Sequence, residues 1–301
     1  MYVVIMSWVG MRKIAFYGKG GIGKSTISTN VAAALAESGL RVMVVGCDPK
    51  TDCTRNLHGG SRVKPFLDYL RELGVAELES TELLTGKQVT VEDLIREKVI
   101  VRGYGGTICI ELGGPEPGIG CAGRGIIVGI ELLQKIGIFD YFKPDVVIFD
   151  VPGDIVCGGL AMPLRRGLAD LVYVVTSAEY LPLHAANNLF KAIRRFASRG
   201  GSKLGGIVYN ARGHIDRPEI VEEFAKRTGT RVIAKIPKSD LIPKAESAAK
   251  TVIEYAPDSD IANLFRHYAK ILLENNEGTV PRPLSTDELY ELYMQYVKTL
   301  S

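Results

Sequence analysis

Gly18-Lys19-Gly20-Gly21-Ile22-Gly23-Lys24-Ser25-Thr26 decides the fold of this 301-residue chain. It satisfies the phosphate-binding pattern G-x-x-x-x-G-K-[ST] in the required context. A short apolar strand, Lys13 to Tyr17, runs into it, and an alanine-rich helical run, Ile27 to Ser38, leaves it. A chance glycine-rich turn would not carry both flanks. Backbone N–H groups of Gly18, Gly20, Gly21, Ile22 and Gly23 are placed to cradle phosphates. Lys24 is placed to neutralise β and γ oxygens, and Ser25, followed by Thr26, to ligate Mg²⁺.

Outward from this loop, strand and helix alternate. Arg41 to Gly46, Thr107 to Glu111, Val146 to Asp150, Leu171 to Thr176, Leu204 to Tyr209 and Arg231 to Ile236 read as strands. Helical runs at Ile126 to Ile136, Leu183 to Arg199 and Pro218 to Thr228 lie between them, and Ile261 to Glu274 follows the last. The expected fold is α/β, a doubly wound and mostly parallel sheet. Residues 1–10 read as a short extension, 11–280 as one domain, and 281–301 as a Pro281/Pro283 linker with a terminal helix from Thr286 to Leu300. Between residues 61 and 105 the pattern weakens: Phe66 to Leu73 and Glu79 to Leu84 read as helices, Val91 to Ile95 as a helix start, Val99 to Val101 as strand-like. Hydrophobic residues make up 46% of the chain, enough for a substantial core, while a net charge of +3 implies neither nucleic acid nor an anionic membrane as partner. Five cysteines without paired spacing fit a reducing cytoplasm rather than a disulfide scaffold.

Two strand exits carry acids. Asp48 and Asp52, in Cys47-Asp48-Pro49-Lys50-Thr51-Asp52-Cys53, follow the second strand and are suited to Mg²⁺ and an attacking water. Asp150 closes Val146-Val147-Ile148-Phe149, a hydrophobic strand ending in aspartate, and points to a Mg²⁺ role. Asp154 follows, placed to sense a γ-phosphate three residues before Cys157. Farther along, Asn210 ends a strand with an amide able to read a nucleotide base, and Lys50 and Pro237 are further candidates for nucleotide contact.

Two cysteines stand apart. Cys121 lies in Gly113-Gly114-Pro115-Glu116-Pro117-Gly118-Ile119-Gly120-Cys121-Ala122-Gly123-Arg124-Gly125 and opens a helix; Cys157 precedes Gly158-Gly159. Glycines admit close backbone approach to an anionic group, and thiolate-ligated iron–sulfur clusters are such groups. A [4Fe–4S] cluster takes four cysteines, and two per subunit of a symmetric dimer would supply them. Arg124 beside such a cluster reads as a partner-docking residue. Cys47, Cys53 and Cys109 read as core or loop residues, and His58, His184, His214 and His267 lack ligand spacing.

Lys19 resembles the signature lysine of deviant Walker A ATPases, which reaches the nucleotide of the opposite subunit. From Lys13 to the terminal helix the chain resembles the nitrogenase iron protein family, on the Lys19-bearing loop, Gly46 to Lys50, Gly113 to Gly125 and Asp150 to Gly159. The resemblance implies a homodimer with one [4Fe–4S] cluster on its twofold axis, held by Cys121 and Cys157, and one MgATP per subunit. It implies electron delivery to a larger nitrogenase or nitrogenase-like component, with ferredoxin or flavodoxin as donor. By it Asp48 and Asp154 position water, Asp52 and Ser25 serve Mg²⁺, Asn210 contacts the base, and Arg124 docks. The chain departs from the family at Pro152, where leucine is usual, at Cys53, where serine is common, and around Arg55 to Pro65. A ParA/MinD-type positioning ATPase would need no such cysteines, and a cluster carrier would show a C-x-x-C near its carboxyl end, which this chain lacks.

Overall fold

The computed structural model describes residues 10–74, 89–114, 122–153, 162–165, 168–212 and 217–297. The first half runs β1 (Arg12–Gly18), α1 (Lys24–Glu37), β2 (Val42–Gly46), α2 (Phe66–Glu72), α3 (Val91–Arg96), β3 (Ile100–Arg102), β4 (Ile108–Glu111), α4 (Ala122–Ile136), α5 (Ile138–Phe142) and β5 (Val146–Pro152). The second runs β6 (Leu171–Thr176), α6 (Tyr180–Ala197), β7 (Lys203–Asn210), α7 (Pro218–Thr228), β8 (Val232–Ile236), α8 (Leu241–Ser247), α9 (Val252–Tyr255), α10 (Asp260–Glu274) and α11 (Thr286–Val297).

The strands form one sheet in the order β3-β4-β2-β5-β1-β6-β7-β8. Every pairing is parallel except β3 with β4 at one edge. Strand residues alternate between two apolar layers because successive side chains point to opposite faces. Ile14, Phe16, Val42, Val44, Val146 and Ile148 lie under α1, α9 and α10; Ala15, Tyr17, Met43, Val45, Val147 and Phe149 lie under the helices of the other face. Burial on both faces explains why these strands read as unbroken hydrophobic runs. The doubly wound reading is what the molecule shows.

Several details differ from the sequence expectation. Helices α5, α8 and α9 were not anticipated, since four to seven residues are too few to display a 3.6-residue period. Helix α6 begins at Tyr180 rather than Leu183. Its Pro182 sits in the first turn, where the missing N–H has no helical partner to lose. Strand β7 is bulged: Leu204 and Gly206 pair with consecutive residues Val172 and Tyr173, leaving Gly205 extra beneath the Tyr173 ring. The helix expected at Glu79 to Leu84 lies outside the described residues, as do positions 298–300 of the terminal helix.

Helix α11 packs on α6 and α7, burying Leu289 and Leu292 completely. Its linker is pinned by Asn187, whose Nδ2 donates to the Leu284 carbonyl and whose Oδ1 accepts the Leu284 N–H, each at 2.8 Å. No helix among the described residues is long and apolar enough to cross a membrane.

Candidate functional site

The central strand β1 ends at Gly18, flanked by Pro152 of β5 and Val175 of β6. The loop turns through Gly23 at φ +92°, a left-handed conformation that glycine adopts without strain, and α1 starts at Lys24 with no side-chain cap. First-turn N–H groups therefore face the cleft, which suits an anion. That cleft, about 590 Å³, is lined by Gly18 to Gly21, Gly23 to Thr26, Asp48 to Lys50 and Asp52. Half-buried Lys19 borders it and a neighbouring groove against Tyr180 to Pro182.

Asp150 is fully buried at the end of β5, and its carboxylate is compensated by donors from α1. Lys24 Nζ forms an ion pair with Oδ1, Ser25 Oγ donates to Oδ1 at 3.3 Å, and Ser28 Oγ donates to Oδ2 at 2.5 Å. A buried charge survives only when paired and hydrogen-bonded, so this cluster ties β5 to the phosphate loop. A hydroxyl beside a carboxylate oxygen is also a hard, all-oxygen donor set of the kind Mg²⁺ takes alongside phosphates, and the residues fit that ion. Ser28 gave no motif signal; one turn along α1 from Ser25, it is found only once β5 is placed beside the helix.

The segment after β2 is held to the same strand, with Cys47 N–H donating to the Asp150 carbonyl at 2.8 Å. Asp48 Oδ1 accepts the Lys50 N–H at 3.0 Å, and Asp52 is exposed at the cleft. Cys47, Cys53 and Cys109 are buried free thiols. Burial pushes Cys47 well up and Cys53 and Cys109 to about 12, which keeps them protonated and unsuited to metal. Sequence reasoning missed Glu111. Buried at the end of β4, it accepts Thr54 N–H and Thr54 Oγ–H on Oε1, each at 2.6 Å, and burial pushes its carboxyl up to about 7.

On the far side of β1, Asn210 and Pro237 line a pocket of about 270 Å³ with Asp240, Glu246 and Phe265. Asn210 Nδ2 donates to the Ile22 carbonyl at 2.8 Å, so its donor half is engaged by the phosphate loop itself. Arg212 donates to the Gly21 carbonyl at 2.5 Å, Thr26 Oγ1 to Glu246, and Arg55 to the Glu246 carbonyl at 2.8 Å. Arg212 and Glu246 did not stand out in the sequence, and Arg55 only as the start of a divergent segment, because each contact spans about 190 residues or more.

Asp154, Cys121 and Cys157 lie outside the described residues. Arg124 falls in the first turn of α4, with its side chain likewise outside. Gly153, the last described residue before Asp154, lies so close to the Gly18–Lys19 backbone that a Cβ there would overlap Gly18.

These features define a P-loop nucleotide-binding protein with a doubly wound sheet. Solved structures agree on the fold. A ParA family ATPase from Chlorobium tepidum superposes with TM-score 0.61 at 20% identity, covering 87% of this chain and 98% of that one. The MinD cell division ATPase of Pyrococcus furiosus superposes with TM-score 0.56 at 20% identity over the same shares. Sequence relatives are far nearer. A protein named nitrogenase iron protein 2 from Methanothermococcus thermolithotrophicus is 53% identical over 279 residues, 93% of this chain and 94% of that protein. The nitrogenase iron protein of Methanococcus voltae is 49% identical over 282 residues, 94% and 95% of the two chains. Residues 12–299 match the model for 4Fe-4S iron sulfur cluster binding proteins of the NifH/frxC family, and the chain belongs to that family. Its class follows: an ATP-hydrolysing oxidoreductase component.

Proposed function

We propose that the chain is an ATP-dependent reductase that passes single low-potential electrons from a [4Fe–4S] cluster, shared by two copies of the chain, to a nitrogenase or nitrogenase-like partner, with ferredoxin or flavodoxin as donor. The observation that supports the coupling is the close backbone approach of Gly153 to Gly18–Lys19, which leaves no room for a side chain. A phosphate-driven shift of the loop's first residues displaces the backbone leading to Asp154 and Cys157, because close-packed backbone cannot absorb it.

In this reading Lys24 and the loop amides hold the β and γ phosphates. Ser25, Asp52 and Asp150 hold Mg²⁺, which when bound neutralises developing phosphate charge. Asp48 and Asp154 orient the water and take its proton. Lys19 reaches the partner's nucleotide, and Lys50, Asn210 and Pro237 complete the nucleotide contacts. Cys121 and Cys157 supply two of four thiolates, so the cluster requires a second copy, and Arg124 meets the acceptor. The relatives named above support the electron-donating role, since their shared name is that of a nitrogenase component.

The test is electron paramagnetic resonance on anaerobically purified, dithionite-reduced protein, with and without MgATP, alongside iron per dimer. About four irons and a reduced-cluster signal that shifts with MgATP are expected. Protein that stays iron-free after anaerobic reconstitution overturns the reading.

A further inference from the structure

Glu111 lies outside the proposed catalytic set yet is built into it. Register pairs it with Gly46, the last residue of β2, and a Cβ at Gly46 would overlap Glu111 Oε2. A glycine at this point lets the carboxyl lie flat against β2 and reach the loop that β2 feeds. There Oε1 takes both donors of Thr54, N–H and Oγ–H, at 2.6 Å. Oε2 is buried without a hydrogen-bond partner, in contact with the region of Gly46 and Cys53.

Thr54 is two residues beyond Asp52. The segment from Cys47 to Thr54 therefore has two ends fixed by different strands: Cys47 N–H on the Asp150 carbonyl of β5, and Thr54 on Glu111 of β4. Between them Asp48, Pro49, Lys50 and Asp52 line the cleft. Pro49 is seated against Gly114, whose Cα leaves no room for a Cβ (2.6 Å to Pro49 Cβ). An orphaned carboxyl oxygen in the core costs free energy, which the two bonds to the otherwise unpaired donors of Thr54 offset. Retaining a carboxyl here makes sense when its two short bonds set the position of something that matters.

We propose that Glu111 is a positioning residue for the ATPase, anchoring Thr54 and so holding Asp52 where the Mg²⁺ of bound nucleotide is met. This rests on the assignment of Asp52 to the Mg²⁺ site. Groups that orient metal ligands from behind govern metal affinity by about 10–100-fold, which sets the expected effect.

The experiment compares wild type, Glu111→Ala, Glu111→Gln and Thr54→Val. For each, ATP hydrolysis is measured against Mg²⁺ concentration, binding of ATP in chelator is measured separately, and melting is followed by circular dichroism. Glu111→Ala is expected to raise half-saturating Mg²⁺ by about tenfold or more, with metal-free ATP affinity unchanged. Thr54→Val, losing one of two donors, is expected to raise it about threefold. Glu111→Gln keeps an oxygen at Oε1 and is expected to restore half-saturation to within about twofold of wild type. Should Glu111→Ala fail to fold, Thr54→Val against Glu111→Gln carries the comparison. Altered melting with the same Mg²⁺ dependence in every variant overturns the proposal and leaves the ATPase reading intact. Wild type that binds no ATP at all overturns both.

Discussion

The two sides of β1 treat the phosphate loop differently. On the β5, β2 and β4 side the contacts are side-chain carboxylates, with Asp150 on Lys24, Ser25 and Ser28, and Glu111 on Thr54. On the β6, β7 and β8 side Asn210 and Arg212 reach the carbonyls of Ile22 and Gly21, and the one carboxylate, Glu246, is part-exposed and accepts only the Thr26 hydroxyl from the loop. One side holds charge in a dry setting, where pairing is worth much and breaking it costs more; the other trims the loop's shape in partial contact with water. The molecule thus separates chemistry from fitting across a single strand.

The sharpest way to break this contrast is Lys24→Met. It strands the Asp150 carboxylate at zero exposure, with an expected cost of about 3–5 kcal/mol in urea unfolding and loss of measurable hydrolysis. Equal cost from Asn210→Ala would erase the distinction between the sides.

A pH series tests the same side by titration. The Glu111 carboxyl, raised from 4.5 to about 7 by burial, holds its proton in the folded chain over a range where the unfolded chain has lost it. The stability it contributes is therefore full at low pH and is lost as pH rises from 4.5 through about 7. Between pH 5 and 8 wild type should lose up to about 3 kcal/mol relative to Glu111→Gln, read from denaturant midpoints. A constant difference across that range would show that the carboxyl is not desolvated.

Gly153→Ala forces a methyl group into the Gly18 backbone, at an expected cost of about 1–3 kcal/mol. Its sharper reading is functional: hydrolysis should fall while melting of nucleotide-free protein drops only modestly. Smallest is Asn210→Ala, which removes one donor from the Ile22 carbonyl. About 0.5–1.5 kcal/mol is expected, visible as several-fold weaker nucleotide binding by fluorescence titration.

What the sequence disclosed follows the same division. Gly18 to Thr26 and the strand ending in Asp150 are local patterns, and they placed the phosphate loop, its flanking elements and the mostly parallel sheet. Asp48 and Asp52 were legible because acids follow a buried strand. Glu111 was not, since its partner Thr54 is 57 residues away and meets it only through the β2–β4 pairing. Arg212 and Glu246 were hidden for the same reason. Short helices such as α8 carry too little period to be read, and the Gly205 bulge exists only relative to a neighbouring strand.

The strand order has a further consequence. Strand β5 lies between β2 and β1, although it is made long after both, and Ser28 meets Asp150 across 122 residues of chain. During synthesis the phosphate loop and its helix therefore emerge with a gap beside them, which closes only when β5 is threaded into the middle of the sheet. Such non-local pairing is slow to form. ATP should have little hold on the chain before that insertion and a strong one after it, because Lys24, Ser25 and Ser28 meet Asp150 only once β5 is in place.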